Sequence, residues 1–214
     1  GPGPVTNVSY LYVADIGDND ADRSHIQLYQ IPEPAVYFWQ ANNPLSKSAM
    51  SGMRTITLTY PDGAHDAEAE FLDPVTGDWF VLTKDKTTSG IYTAPKSLLD
   101  LTDNITLTFA GTLAFDKPNG ADISPLGDEI LVRQENFAQI FLRTNGQSII
   151  SALAESSNGI PVVGEAGGEP NGEAIGFDYY GGGYFTLSDS EPSGVQPLYY
   201  FARTSLDGPT PPRV

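Results

Sequence analysis

Short, mostly apolar runs recur along the chain, and turn residues separate them. Clear examples are 10–14, 79–82, 130–132 and 184–187, each five residues or fewer. Runs this short between turns are typical of β-strands, and the alternation of apolar and polar residues in 55–60 supports that interpretation. No segment keeps a helical period, and only 95–103 predicts a short helical turn. The pattern therefore predicts an all-β protein.

These runs belong to a longer repeat. The stretches EAEFLDPVTGDWFVLTKD from Glu68, ADISPLGDEILVRQEN from Ala121 and EAIGFDYYGGGYFTLSDSEP from Glu173 each read as a strand, a glycine-containing turn and a second strand. Third strands follow at 90, 138 and 196, and fourth strands are expected at 55, 105 and 159. Four antiparallel strands that recur about every 50 residues predict the blades of a β-propeller.

The repeats predict one β-propeller domain over 1–214, with four-stranded antiparallel blades near 10–60, 66–110, 120–165 and 172–205. The complete ring would have about four to six blades. The first repeat starts with the second strand of a blade. Because a propeller protects its strand edges, we expect a missing N-terminal segment, the C-terminal tail or a second chain to complete the ring.

Several strings resemble a family of secreted β-propeller proteins to which no reaction is assigned. They are LYVADIGDN with IPEP, DAEA, GADISP with EILVR, and GEAIGFD with GGYFTLSDSE and QPLYYF, and together they span nearly the whole chain. More loosely, the chain is similar to phytase-like and YVTN-type propellers. The resemblance implies the propeller fold, secretion, and a further strand ahead of the GPGP turn.

Charge and composition narrow the possible partners. The net charge is −16, which disfavours nucleic acid and anionic membrane surfaces but favours cations and basic proteins. No run is long enough to predict a membrane span. The chain has no cysteine, so disulfides and thiolate metal sites are excluded. Sequons at Asn7 and Asn104 would accept glycans in a eukaryotic secretory pathway.

Acidic residues recur where the innermost strand of each repeat begins, namely at Asp66 and Glu68, at Asp122 and at Glu173. In a propeller these positions meet at a mouth of the central channel. Carboxylates that converge repel each other unless they bind a cation, pair with a base or hold a proton. Calcium, which prefers oxygen ligands, would satisfy them. Alternatively, each carboxylate could accept hydrogen bonds from nearby backbone amides and have only a structural role.

The segment YLYVADIGDNDADRSHIQLYQ interrupts two strands with an acidic stretch, which fits a metal site, a catalytic cluster or a solvated turn. The spacing of Asp18 and Asp20 matches the start of an EF-hand loop, but the twelfth position is Tyr29 instead of glutamate. The segment is therefore not an EF-hand. A looser calcium loop that uses Asp15, Asp18 and Asp20 stays open, as does an ordinary turn.

The candidate catalytic residues are His65, Glu173 and Arg133. His65 lies in DGAHDAEAE, just before an innermost strand, where it could serve as a metal ligand or general base. Arg133 and Lys84 occupy equivalent elbows after second strands. They could neutralise the channel carboxylates, or Arg133 could hold an anionic substrate group. The aromatic run 37–39 could form a ligand platform, but we expect it to pack between blades.

Two functions follow from these patterns. We expect a secreted, extracellular or periplasmic protein that binds calcium and a ligand or protein partner without catalysis. The metal residues would be drawn from Asp15, Asp18, Asp20, Glu68, Asp122 and Glu173. The alternative is a metal-dependent hydrolase of phosphoesters or lactones that uses the channel carboxylates, with His65 as base.

Overall fold

The computed structural model describes residues 1–40, 51–86, 88–163, 169–189 and 196–203. In chain order the strands are β1 (Tyr10–Asp15), β2 (Ile26–Pro32), β3 (Arg54–Thr59), β4 (Ala67–Leu72), β5 (Trp79–Thr83), β6 (Ser89–Ala94), β7 (Asn104–Thr106), β8 (Thr108–Leu113), β9 (Gly120–Ile123), β10 (Glu129–Gln134), β11 (Phe137–Leu142), β12 (Asn158–Ile160), β13 (Gly172–Phe177), β14 (Gly183–Ser188) and β15 (Tyr199–Ala202).

The described strands form four small sheets, which are the four blades of a β-propeller. Blade 1 has the order β1-β2-β3-β7, blade 2 has β4-β5-β6-β8 and blade 3 has β9-β10-β11-β12. Blade 4 contains β13-β14-β15. The all-β propeller predicted from the sequence is therefore confirmed. None of the helices in the described residues is long and apolar enough to cross a membrane.

The segment expected to be the fourth strand of blade 2 is divided between two sheets. Its first part, β7, pairs parallel with β3 of blade 1, whereas β8 pairs antiparallel with β6 of blade 2. Leu107 lies between the two strands, is buried, and donates its N–H to the Thr59 carbonyl at 2.8 Å. The prediction of one continuous strand from Ile105 was wrong because period-two alternation cannot say which sheet a strand joins.

Within the described residues, two short α-helices connect strands, and a 3-10 helix spans Phe38–Gln40. Helix α1 (Lys96–Leu99) confirms the predicted helical turn. Helix α2 (Ile149–Leu153), between β11 and β12, was not predicted. The side chain of Ser148 caps it by accepting a hydrogen bond from the Ser151 N–H at 3.1 Å. A helix of five residues is too short to show a helical period in the sequence.

Apolar side chains pack between successive blades in three clusters. The first joins blades 1 and 2 around Trp79, the second joins blades 2 and 3 around Ile130, and the third joins blades 3 and 4 around Ile175. Among the described residues, no such cluster joins blade 4 to blade 1. The expected packing of the run 37–39 between blades was wrong, since Phe38 and Trp39 are 96% and 72% exposed.

Candidate functional site: the central channel

Three cavities follow one another between the blades and share lining residues, so they form one channel. The largest has a volume of about 710 Å³ and is lined by β1, β4, β9 and β13. It shares Glu70, Ala121 and Ile175 with a cavity of about 270 Å³. That cavity in turn shares Glu68 and Glu173 with one of about 430 Å³. Each blade thus contributes a strand to the channel wall.

One end of the channel, here called the acidic mouth, carries a polar residue from every blade. The residues are Asp15 from blade 1, Glu68 from blade 2, Asn119 from blade 3 and Glu173 from blade 4, and all four line the same cavity. Asp15 ends β1, whereas the other three lie where the innermost strands of their blades begin. Radial repetition of one sheet therefore brings residues far apart in sequence to a shared opening.

The two glutamates of the acidic mouth each occupy a β-bulge. In blade 2 the pairing register shifts between Ala67 and Ala69, which leaves Glu68 as the extra residue. In blade 4 the same shift occurs around Glu173. A bulge inserts one unpaired residue and redirects its side chain, and bulges are common beside functional sites. The bulges thus distinguish these glutamates from their strand neighbours.

The acidic mouth is only partly neutralised. The Lys84 Nζ lies 2.6 Å from the Glu68 Oε2 within blade 2, so the lysine neutralises a carboxylate of its own blade. Desolvation raises the pKa of Glu173, and the nearby charge of Glu68 raises it further, whereas a hydrogen bond from Asn119 and the charge of Lys84 lower it. A cation that enters the mouth would therefore stabilise the ionised form of Glu173.

Deeper in the channel lie two carboxyl groups that hold their protons more tightly than usual. Burial raises the pKa of Glu70 to about 7. A hydrogen bond from the Trp79 Nε1 at 2.6 Å lowers this pKa, whereas the charge of Asp122 raises it. Burial also raises the pKa of Asp122 to about 6, although its Oδ2 accepts the Phe177 N–H at 2.7 Å. That hydrogen bond joins blade 3 to blade 4.

The structure places Asp122 in the channel interior, whereas the sequence alignment placed it beside Glu68 and Glu173 at the mouth. The bulge explains the difference. Blades 2 and 4 contain the extra residue, but β9 pairs with β10 in an unbroken register from Gly120 onward. Counting from the strand start therefore matches Asp122 with Glu70. Asn119 takes the mouth position of blade 3.

The acidic turn after β1 is held together by its own hydrogen bonds. Asp18 is buried, and its carboxylate accepts the N–H groups of Asp22 and Arg23 at 3.2 and 2.9 Å. The Arg23 guanidinium lies 2.8 Å from Asp15, and Asp20 is exposed. These contacts are those of an ordinary aspartate turn. The calcium loop suggested for Asp15, Asp18 and Asp20 stays a prediction.

A carboxylate of blade 2 fixes this turn to the next blade, because the Asp66 Oδ1 accepts the Asp18 N–H at 2.8 Å. Asp66 thus has a structural contact of the kind expected as the alternative to metal binding. Among the described residues, no group of three or more histidine or acidic side chains is arranged to hold a metal ion.

His65 lies in a hydrogen-bonded cluster on blade 2 instead of lining the channel cavities. Its Nε2 lies 3.1 Å from the Asp62 Oδ1 and 2.9 Å from the Tyr92 hydroxyl, which also donates to Asp62 at 2.8 Å. The Tyr60 ring packs edge-on against the imidazole. The role of His65 as a base for channel chemistry stays a prediction.

Arg133 is fully buried, with the Glu169 carboxylate 2.8 Å from its Nη1. Its remaining donors reach the main-chain carbonyls of Ala174 at 3.0 Å and Glu135 at 3.1 Å. The guanidinium therefore joins blade 3 to blade 4, and its suggested contact with an anionic substrate stays a prediction. Glu169 was not identified from the sequence, because it lies in a glycine-rich stretch without strand alternation.

The opposite end of the channel, here called the aromatic mouth, is lined by Tyr10, Tyr12, Phe177, Tyr179 and Tyr180. Tyr179 and Tyr180 are 81% and 59% exposed. Tyrosine offers an apolar face and a hydrogen-bonding tip, so such a surface suits partly apolar ligands. The two mouths of the channel thus differ in chemistry.

Comparisons with known proteins give no family. No family model matches the chain, and no curated protein matches it. Among solved structures, hydrazine synthase of Kuenenia stuttgartiensis is similar over 92% of this chain and 47% of its own, with 11% identity and a TM-score of 0.44. Hsv2 of Kluyveromyces lactis is similar over 84% and 58%, with 10% identity and a TM-score of 0.39.

The chain therefore spans about half the length of the solved structures that it resembles. Likeness at TM-scores below 0.5 gives no argument about function. The propeller assignment comes from the strand pairings of this chain, and the function has to be argued from its channel.

Proposed function

We propose that the protein is a non-catalytic binding protein that takes a ligand or partner into its central channel and a calcium ion at the acidic mouth. The observation that carries the proposal is that Asp15, Glu68, Asn119 and Glu173, one from each blade, line a single cavity. Propellers commonly bind ligands where their blades converge. The largest cavity, of about 710 Å³, also falls in the size range of ligand pockets.

Calcium suits the acidic mouth because it takes six to eight oxygen ligands in a flexible geometry, with water filling some positions. The carboxylates of Glu68 and Glu173 and the amide oxygen of Asn119 would supply protein ligands. A bound cation would offset the repulsion that Glu68 exerts on Glu173. With so few protein ligands, we expect a dissociation constant of about 10⁻⁴–10⁻³ M.

Isothermal titration of the EDTA-treated protein with calcium tests this site, together with the melting temperature at each calcium concentration. We expect saturable binding and a higher melting temperature, both lost when Glu68→Gln and Glu173→Gln are combined. The matched control is Glu155→Gln, which removes an exposed carboxylate near α2 and leaves binding unchanged. Equal calcium binding by the double variant would overturn the proposal for the mouth.

A metal-dependent hydrolase remains the second candidate, and one observation favours it. Glu70 and Asp122 have pKa values raised to about 7 and about 6, which suits general acid–base chemistry near neutral pH. A panel of phosphoester and lactone substrates, each assayed with and without calcium, tests this candidate. Turnover that Glu70→Gln or Asp122→Asn abolishes would establish the enzyme, whereas absence of turnover across the panel would exclude these substrate classes.

Secretion to the extracellular space or periplasm is part of the same proposal. The resemblance of several strings of the sequence to secreted propellers supports it. Asn7 and Asn104 are both exposed, so their sequons would be accessible to glycosylation in a eukaryotic host. Fractionation of the native source tests the location, and recovery of the protein only from the cytosol would contradict it.

A further inference from the structure

The connection that follows β2 carries the longest exposed apolar run among the described residues, here called the aromatic ridge. It consists of Val36, Tyr37, Phe38 and Trp39, each at least half exposed, and Phe38 is almost fully exposed. Single exposed apolar residues are normal on a protein surface, whereas contiguous ones mark a surface for a partner protein or a membrane. The aromatic ridge is therefore a candidate binding surface.

The aromatic ridge is ordered by its own contacts. The Tyr37 N–H donates to the Gln40 Oε1 at 2.7 Å, and the Gln40 N–H donates to the Tyr37 carbonyl at 2.8 Å. The Tyr37 and Trp39 rings stack, with centroids 4.5 Å apart and planes 6° from parallel. None of the ridge residues belongs to the apolar clusters between the blades. The ridge thus keeps its shape without packing on the core.

The aromatic ridge lies at the end of the propeller that carries the aromatic mouth. Because β2 runs antiparallel to β1, its last residue, Pro32, pairs with Tyr10, which lines that mouth. A second strongly exposed apolar residue, Leu101, follows α1 at the same end. There the Arg54 side chain, at the start of β3, donates to the Leu99 carbonyl at 2.7 Å. Two apolar projections thus lie at one end of blades 1 and 2.

The charges beside these two projections largely cancel. Glu33 is the one charged residue in 26–40, so the ridge itself is uncharged. Around Leu101, the Lys96 ammonium pairs with Asp100, and the Arg54 guanidinium pairs with Asp103 at 2.7 Å. This neutral surface matches a partner surface that is also neutral overall, and it offers no attraction to a charged one.

The geometry of the rings favours a lipid surface over a sugar. Because Tyr37 and Trp39 stack on each other, each covers one face of the other, and they do not form a flat aromatic platform. Tryptophan and tyrosine are enriched at the level of lipid headgroups, where an apolar ring and a polar tip are both satisfied. Phe38, which has no polar group and projects into solvent, suits the acyl boundary below them.

We propose that the aromatic ridge inserts into the surface of a zwitterionic lipid bilayer, with Leu101 as a second apolar contact. Such binding is peripheral and needs no membrane-spanning segment. The net charge of −16 restricts it to neutral lipid, because an anionic surface would repel the chain. This proposal goes beyond calcium binding at the acidic mouth and does not depend on it.

The two tryptophans of the chain provide the readout, because Trp39 is exposed and Trp79 is fully buried. The probe is a phosphatidylcholine vesicle, with or without brominated acyl chains, added to the calcium-free full chain. We expect cosedimentation, a shift of the tryptophan emission to shorter wavelength, and quenching by bromine. Trp39→Phe should lose both fluorescence responses and should still cosediment within about threefold, because phenylalanine keeps an apolar ring.

Matched serine variants test which surface inserts. Phe38→Ser should weaken vesicle binding about tenfold or more, because it removes the burial of one aromatic side chain. Leu101→Ser should weaken it about fivefold. The control is Leu198→Ser, which removes an exposed leucine before β15, at the acidic end, and should leave binding unchanged. All three residues are exposed, so the melting temperature should stay the same.

Lipid charge distinguishes apolar insertion from electrostatic attraction. Replacement of about a third of the phosphatidylcholine with phosphatidylserine should weaken binding, and added salt should restore it by screening the repulsion. Stronger binding to the anionic vesicles would overturn the proposal, because it would require a basic surface instead of the aromatic ridge.

Four further results would overturn the proposal. They are no cosedimentation of the parent chain with phosphatidylcholine, equal binding by Phe38→Ser, and a Trp39 emission shift produced by a neutral polysaccharide without vesicles. The fourth is a Trp39 emission shift that accompanies dimerisation without vesicles, which would mean that a second copy covers the ridge. Calcium titration at the acidic mouth is measured separately, so failure of either proposal leaves the other intact.

Discussion

The boundary between blades 2 and 3 and the boundary between blades 3 and 4 are held by different contacts. At the first, a large apolar cluster includes Phe71, Leu82 and Ile130, all nearly or fully buried. At the second, the cluster contains three buried apolar residues with partly buried ones packed against it, and the fully buried pair of Arg133 and Glu169 lies at the same boundary. Blade 3 thus meets blade 2 through a large apolar cluster, and it meets blade 4 through a smaller apolar cluster together with a buried ion pair.

The two kinds of contact contribute differently, because apolar burial mainly stabilises a boundary, whereas a buried ion pair mainly fixes how the two blades are arranged. Burial of apolar surface stabilises a boundary in proportion to its area and tolerates small shifts. A buried ion pair contributes little net stability after desolvation, but it is strongly destabilising to break, and it requires one arrangement. The Gly172 backbone fits so closely against Arg133 that an added Cβ would overlap the guanidinium. We therefore expect blade 4 to open before the rest of the propeller.

The largest effect should come from the apolar boundary. Phe71→Ala removes a side chain that stacks on Phe80 with ring centroids 5.3 Å apart and is 3% exposed. We expect the free energy of unfolding in urea to fall by about 4 kcal/mol, from lost burial and the cavity left behind. Val75→Ala is the control, because Val75 is 66% exposed and should cost less than about 0.5 kcal/mol.

Breaking the buried ion pair should have the next largest effect, and it should be local. Arg133→Met leaves the Glu169 carboxylate buried without a cation, which we expect to cost about 3 kcal/mol. Hydrogen exchange should accelerate in β13, β14 and β15 before it does in blade 2. Glu169→Gln leaves the Arg133 guanidinium buried without a counter-charge, and we expect it to cost about 3 kcal/mol as well. Uniform acceleration across all blades would contradict a separate role for this boundary.

The channel carboxyls should make stability depend on pH. Their folded pKa values are about 7 for Glu70 and about 6 for Asp122, above the ordinary values of 4.5 and 3.8. At pH values between the ordinary and the raised pKa of each group, the folded state binds more protons than the unfolded state. The free energy of unfolding should therefore fall as pH rises from about 4 to 7, by about 2 kcal/mol or more. The double variant of Glu70→Gln and Asp122→Asn should flatten this slope, and a slope unchanged from the parent would contradict the assignment.

The smallest effect should come from the ion pair at the acidic mouth. Lys84 and Glu68 are 24% and 28% exposed, so solvent weakens their attraction. Lys84→Met should change the free energy of unfolding by less than about 1 kcal/mol, in contrast to Arg133→Met. The same variant should bind calcium more tightly, because it removes a competing cation from the mouth. Weaker calcium binding by this variant would contradict the proposed site.

The repeat in the sequence was enough to predict the blades, because alternation and turn glycines are local signals. The strands at 79, 130 and 184 and the helical turn after Pro95 are found where expected. Alternation carries no information on which sheet a strand joins, so the parallel pairing of β7 with blade 1 was not foreseen. The short helix α2 was missed for want of a full helical period.

The candidate site was predictable only in part, because a single bulge changes the register of everything after it. Glu68 and Glu173 were identified from strand starts, and they line one cavity at the acidic mouth. Asp122 was placed with them because its blade lacks the extra residue, and Glu70, its true counterpart, was passed over for the same reason. Asn119 was missed because the search looked for carboxylates. The spacing to the next turn glycine could have separated Asp122, which lies five residues before Gly127, from Glu68 and Glu173, which lie nine and eight residues before Gly77 and Gly181.

The parallel strand β7 has a consequence for the order in which the chain can fold during synthesis. Blade 1 receives its outer strand from residues 104–106, which leave the ribosome only after β4, β5 and β6 of blade 2. Arg54 on β3 then bonds to the Leu99 and Thr102 carbonyls and to Asp103 of the incoming segment. Blade 1 therefore cannot complete its sheet until most of blade 2 has been synthesised. Blades 1 and 2 are expected to fold together as one unit of about 100 residues.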